Sequence, residues 1–305
     1  MALVYAVIAA LVVTLAPKAA LAWGPGMHVD VALGAMRELA AIAPAIADLI
    51  RRFPEAFIYG AASPDIVIGK RYYGYLHHCH SWKMGRMILS EARSELQKAA
   101  AYGYLMHLAA DVVAHNYYIP AKIVRSWPAR LLTHTYWEMR FDIGVSEEAW
   151  EELDEVTENT VDEFDRVLER VLRKTLFSFS TNKSIFNSIV ILQKMRGLRA
   201  SLRAYASHSR FPLVEENREH YMDLTMDAAL GFLKDPKHAP CLEIDPAGLS
   251  RLDYAKRVRR GIRASIKKGL MQESDAERLV DLVKEQMAIG LYRPNMVLPG
   301  VMDVL

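Results

Sequence analysis

Only two of the 305 residues are cysteine, Cys79 and Cys241, so at most one disulfide can form and no disulfide scaffold carries the fold. Charge of one sign is lacking too. The 38 Lys and Arg stand against 36 Asp and Glu, and a formal net charge of +2 gives no general pull toward nucleic acid or anionic membranes. No convincing strand alternation and no internal repeat is visible. There is no Gly-rich loop to cradle phosphate and no convincing nucleophilic triad. What is present is 52% hydrophobic and 24% charged side chains, which is ordinary globular composition, in a chain long enough to bury one large core or two modest ones.

The N-terminus reads as processing rather than fold. Residues 2–16 form one uncharged apolar run, shorter than the roughly 20 residues that span a bilayer comfortably. Ala20-Leu21-Ala22 then supplies the small-x-small pattern of a cleavage site. We read residues 1–22 as a signal peptide, which predicts a secreted or periplasmic protein beginning Trp23-Gly24-Pro25-Gly26-Met27-His28. An uncleaved anchor is the competing reading, because only the Met1 amine supplies positive charge ahead of the run. Export would permit a Cys79–Cys241 bridge, though the spacing does not require one.

From Met27 onward the pattern is helical. Apolar residues recur at helical spacing over 27–52, and again over 84–117, 129–142, 147–176, 183–206, 216–234, 246–269 and 273–290. Residues 53–76, with their Pro and Gly, interrupt it. Asp245-Pro246 and Ser274 look like helix starts, and Gly269 looks like a stop. The expectation is an all-α domain over 23–305, with its chemistry within 23–140. Whether the helical remainder, 145–305, forms a separate lobe is open. Residues 251–268 hold eight Arg or Lys against one Asp, with Leu252, Ala255, Val258, Ile262 and Ile266 on the opposite face. Such a helix either approaches anionic lipid or a phosphate polymer, or simply packs one face and solvates the other. The second reading is favoured.

Histidine carries the chemistry. Of ten in the chain, His28, His77, His78, His80, His107, His115 and His134 fall between residues 28 and 134. His107, Asp111 and His115 recur at i, i+4 and i+8 along one helix face, in apolar surroundings. A buried Asp between buried imidazoles needs a partner, and a cation is one. His134 and Glu138 repeat the i, i+4 pairing on the next predicted helix. One such pair is often no more than a helix contact; two in succession, with His115 left to complete the second, point to metal. Asp65 lies on a turn after Pro64, and His77-His78-Cys79-His80 offers three imidazoles and a thiol.

The ordered set Trp23, His28, Asp65, His80, His107, Asp111, His115, His134 and Glu138 resembles the trinuclear zinc phosphodiesterases. That superfamily joins zinc-dependent phospholipase C, the N-terminal domain of glycosylphosphatidylinositol-specific phospholipase D, and the single-strand-specific nucleases. The resemblance covers about residues 23–140. Trp-Gly-x-x-x-His at residues 23–28 looks like the nuclease branch, whereas Ala62-Ser63-Pro64-Asp65 and the His107–His115 run look like the phospholipases.

The resemblance implies three zinc ions: one on Asp65, His80, His107 and Asp111; a second on the Trp23 amine and carbonyl, His28 and the bridging Asp111; a third on His115, His134 and Glu138. His78 competes with His80, which is preferred because His-Ser-Trp echoes the family's His-Trp pairing. Asp65 is expected to serve as general base as well as ligand. The implied activity is phosphodiester hydrolysis, most directly of phospholipid, with contact at a membrane surface and no stable protein partner. Tyr72, Tyr73, Tyr75 and Trp82 would either line a mouth that meets lipid or pack inside. A single-strand nuclease and a non-catalytic zinc- or lipid-binding protein on the same scaffold are the alternatives. Sequencing the N-terminus of the exported protein is expected to read Trp-Gly-Pro; a start at Met1 would overturn the cleavage reading.

Overall fold

The computed structural model describes residues 23–66, 79–129, 134–158, 161–172, 178–207, 210–211 and 215–304. Among them every regular element is a helix: α1 (Pro25–Arg37), α2 (Pro44–Arg52), α3 (Pro54–Ala62), α4 (Trp82–Glu91), α5 (Glu95–Val113), α6 (Ile119–Arg125), α7 (His134–Asp142), α8 (Glu147–Glu158) and α9 (Asp162–Val171), then α10 (Phe179–Lys194), α11 (Arg196–Ser207), α12 (Glu215–Lys234), α13 (Leu249–Lys267) and α14 (Glu273–Ile289). The all-α expectation holds.

Helix α5 is the axis of the assembly. From Ala99 to Val113 nearly every side chain is buried, the mark of a helix surrounded by others rather than lying on a surface. Ser94 starts it with a capping box: its Oγ accepts from the Gln97 N–H at 3.2 Å, and the Gln97 side chain accepts from the Ser94 N–H. Helices α3, α12, α4 and α2 pack around it. The approach of α3 is the closest. A Cβ on Gly60 would lie 1.9 Å from the Ala100 carbonyl oxygen, and one on Gly103 would lie 2.1 Å from that of Phe57. The two backbones therefore touch through paired glycines, which no larger residue permits.

Helix α3 lies in the interval 53–76, whose Pro and Gly residues read as an interruption of the helical pattern. Pro54 occupies its first turn, where no N–H is needed, and Gly60 serves packing rather than termination. Both residues read locally as breakers. The long segment expected over 27–52 is divided at residues 38–43, and 84–117 is divided by the cap at Ser94. Beyond Val113 the helix widens into a π-helical turn over Ala114–Tyr118 before α6 begins. Strict i, i+4, i+8 periodicity therefore fails at His115. Helix α13 starts after Gly248 rather than at Asp245-Pro246, and α14 is capped from Gln272. Gly269, at φ +70°, ends α13 as expected.

One buried cluster runs from Trp23 to Leu291. Helices α13 and α14 pack on α6, and α12 reaches both α5 and α1. Three arginines of α13 are engaged with backbone carbonyls. Arg251 donates to the carbonyls of Gly290 and Arg293 at 3.2 and 3.1 Å, Arg259 to that of Ala129, and Arg263 to those of Trp127 and Ala129. Its apolar face, with Leu252, Ala255, Val258 and Ile262 buried, faces the core. Trp82 is packing, not a mouth: it is buried, stacks on Phe232 and donates from Nε1 to the Ile244 carbonyl at 2.8 Å. Tyr72, Tyr73 and Tyr75 lie outside the described residues. Replacing Gly60 by alanine is expected to lower folding stability by about 1–3 kcal/mol through overpacking, seen as an earlier urea midpoint. An unchanged midpoint would show that the α3–α5 seam opens without cost.

Candidate metal centre

Local structure delivers each candidate ligand. His107 and Asp111 sit one turn apart on α5. Asp65 follows α3 in a 3-10 turn, Ser63–Ile66, entered as Ser63 Oγ donates to the Tyr59 carbonyl at 2.7 Å. His80 lies just before α4, where Ser81 caps by accepting from the Met84 N–H at 3.3 Å. Tyr104 of α5 fixes that approach, donating to the Cys79 carbonyl at 2.7 Å. His28 lies in the early part of α1.

These five meet in one buried cluster. Asp111 is its centre: Oδ1 lies 3.2 Å from His28 Nε2, and Oδ2 lies 3.3 Å from the Nε2 atoms of both His80 and His107. Asp65 Oδ1 is 3.3 Å from His80 Nε2. The His80 and His107 Nε2 atoms are 3.0 Å apart, and the rings of His28 and His107 stack at 3.4 Å between centroids. Two sets of three potential ligand atoms result, Asp65–His80–His107 and His28–His107–Asp111, each within 4.8 Å. A third set, His115–His134–Glu138, meets the same limit, with His134 Nε2 2.8 Å from Glu138 Oε1. His77 and His78 lie outside the described residues; His80 is the imidazole found in the cluster.

The proton positions follow from the acceptors. Nδ1 of His107 faces the Ala61 carbonyl at 2.7 Å, and Nδ1 of His115 faces the Pro246 carbonyl at 2.6 Å. A carbonyl only accepts, so both Nδ1 atoms carry hydrogen and the neutral ring turns an Nε2 lone pair inward. Ala61 is in the last turn of α3, where carbonyls lack helical partners, so the helix end supplies an acceptor without further cost. The other nitrogen of His80 contacts Cys79 Sγ at 3.4 Å. Cys79 and Cys241 are both buried, and no disulfide joins them.

Electrostatics favour the neutral ring at His28. Burial, helped by the neighbouring His107, lowers the His28 pKa, which favours the neutral imidazole. Burial alone would raise Asp111, yet the surrounding His107 and His28 hold it well below the usual carboxylate range. That lowering requires N–H donors or positive charge facing Asp111; where the imidazoles are neutral and turn lone pairs inward, a cation has to supply it. Both Asp111 oxygens, both His28 ring nitrogens and His115 Nε2 lack a well-formed hydrogen bond. Such an arrangement is costly alone and is satisfied by a cation. Nitrogen and carboxylate donors in threes suit zinc. The residues present fit the metal.

Trp23 enters by its side chain. The indole is fully buried, stacks on Tyr118 at 4.8 Å and packs on Phe141 at 4.2 Å, and its Nε1 donates to the Ala110 carbonyl at 3.2 Å. That contact fixes the Trp23 side chain against α5 at Ala110, the residue before Asp111. Asp142, absent from the sequence expectations, secures the next turn. Its carboxylate accepts from the N–H groups of Met27 at 2.8 Å and Gly26 at 3.3 Å, capping α1. Gly24 permits this, since a Cβ there would lie 2.2 Å from Asp142 Oδ2. Burial pushes the Asp142 pKa up to about 7 against the pull of those N–H donors. The signal was present in the sequence: His134, Glu138 and Asp142 continue one i, i+4 series.

The family model of zinc-dependent phospholipase C matches residues 27–181, half of the chain. No curated protein and no solved structure matches the chain. Because the cluster ties α1, the Asp65 turn, the segment before α4 and α5 together, removing metal is expected to loosen all of them. Chelator should lower the melting temperature of the zinc-loaded protein by about 10 °C, and added zinc should restore it. Identical melting curves with and without chelator would contradict a metal at this centre.

Proposed function

We propose that this chain, which belongs to the zinc-dependent phospholipase C family, hydrolyses the phosphodiester of phospholipids at the centre formed around Asp111. In this reading Asp65, His80, His107 and Asp111 hold one zinc ion. Asp111 shares a second with His28 and the main-chain amine and carbonyl of Trp23. His115, His134 and Glu138 hold a third.

The single observation that carries the reading is Asp111. Its two oxygens face different histidines, Oδ1 toward His28 and Oδ2 toward His80 and His107, as a carboxylate shared between two ions requires. Zinc, when bound, activates water near neutral pH and offsets the charge of the phosphodiester. The protein's part is placement. His107 and His115 keep hydrogen on Nδ1 and offer Nε2. Asp65, buried beside His80, is the carboxylate positioned to accept a proton. The burial of Trp23 against the Ala110 carbonyl supports a main-chain role for residue 23, which requires cleavage after Ala22 and therefore export. An exported enzyme of this kind acts where its lipid substrate meets solvent, by peripheral contact.

The purified mature protein is expected to contain about three zinc ions by elemental analysis. It should release phosphorylated head group from phosphatidylcholine vesicles and no nucleotide from single-stranded DNA. Asp111→Asn should remove activity by far more than the roughly 10–100-fold lost on altering an outer partner. Nucleotide release with intact vesicles would establish the nuclease reading instead, and full zinc without turnover of either substrate would leave a binding protein. An active Asp111→Asn enzyme would end the bridging role.

A further inference from the structure

The segment preceding α13 presents three consecutive carbonyls to the chemically active half of the molecule. Ile244 accepts from Trp82 Nε1 at 2.8 Å, Asp245 from Asn116 Nδ2 at 2.9 Å, and Pro246 from His115 Nδ1 at 2.6 Å. Asn116 also donates to the Val112 carbonyl at 3.0 Å, so its amide clamps this strip to the π-helical turn that carries His115. The strip is itself braced: the Asp245 carboxylate accepts from the N–H groups of Ala247 at 3.0 Å and Leu249 at 3.1 Å. Gly248 then takes φ +55°, and a Cβ there would lie 2.4 Å from the His115 carbonyl oxygen and 2.5 Å from its Cβ. The turn lies beyond the residues matched by the family model, 27–181.

We propose that this turn, residues 244–249, is a positioning element for the His115–His134–Glu138 site, setting both the rotation and the tautomer of His115 through the Pro246 carbonyl. The inference rests on the reading of that trio as a metal site. A ligating histidine needs its other nitrogen held, and loss of the holder weakens metal binding by roughly 10–100-fold. Here the holder is a main-chain atom, so its placement depends on the turn rather than on any side chain at 246. Gly248 is the residue that lets the turn sit against His115. Asn116 holds it through the Asp245 carbonyl. Both act through His115, and neither is a ligand.

The test is zinc binding by the full mature chain, titrated with zinc alone against a competing chelator. Glu138→Gln serves as the reference for loss of this site. Gly248→Ala and Asn116→Leu should each weaken one zinc equivalent by roughly 10–100-fold, leave the other two unchanged, and reproduce the two-ion plateau of Glu138→Gln at low free zinc. Pro246→Ala, which keeps the carbonyl, should retain all three. A merely structural role would weaken every site together, so equal loss at all three equivalents would overturn the proposal. So would three unaltered equivalents in both variants. If Gly248→Ala fails to fold, Asn116→Leu decides. Fewer than three ions in the unmodified protein would instead refute the trio as a metal site.

Discussion

A carboxylate in a dry interior, ringed by imidazoles, is the constraint on which the rest of this structure depends. Asp111 sits fully buried on a helix that other helices enclose. In such surroundings an unneutralised carboxylate is far too expensive to retain. The fold keeps it there, and surrounds it with His28, His80 and His107 rather than with lysine or arginine. His107, with hydrogen fixed on its far nitrogen by the Ala61 carbonyl, turns an electron pair toward Asp111 rather than charge. The cluster is therefore built to be neutralised from outside the chain.

The helices around α5 act as an outer frame. The end of α3 gives His107 its acceptor at Ala61, and the turn before α13 gives His115 its acceptor at Pro246. Tyr104 holds the segment that presents His80, and Asp142 holds the turn that presents His28. Each candidate histidine of the main cluster is thus steered by a group from a different part of the chain. The C-terminal helices belong to this frame as well, through their packing on α6 and on the π-helical turn.

Much of the candidate site was legible in the sequence because ligand chemistry is carried by side-chain type and short spacing. His107-x-x-x-Asp111 and His134-x-x-x-Glu138 could be read without any tertiary knowledge. So could the all-helical class, since amphipathic spacing is a local property. What escaped reading depends on contacts distant in sequence. Pro54 and Gly60 look like breakers until α5 is placed against them. The π-helical turn at Ala114–Tyr118 breaks a periodicity that the residues themselves continue. The carbonyl of Pro246 is invisible in principle, because every residue has one and only the fold decides which is used. Asp142 was visible as the next member of an i, i+4 series, but its capping of α1 was not. The reading of α13 as a helix with one packed face agrees with the burial of Leu252, Ala255, Val258 and Ile262, whereas Arg251, Arg259 and Arg263 meet backbone carbonyls instead of being solvated.

The paired glycines between α3 and α5 have a further consequence. Helices that meet through large side chains can slide by a rotamer change, and their separation varies with whatever fills the gap. Here main chain rests on main chain at Gly60 and Gly103, so the spacing is a hard stop. Asp65 leaves one of these helices and His107 stands on the other. The interval between them is consequently gauged by covalent geometry, and ordinary drift of the surrounding hydrophobic residues leaves it untouched. A centre whose ligands must hold their distances to a fraction of an ångström gains its tolerance from two missing methyl groups.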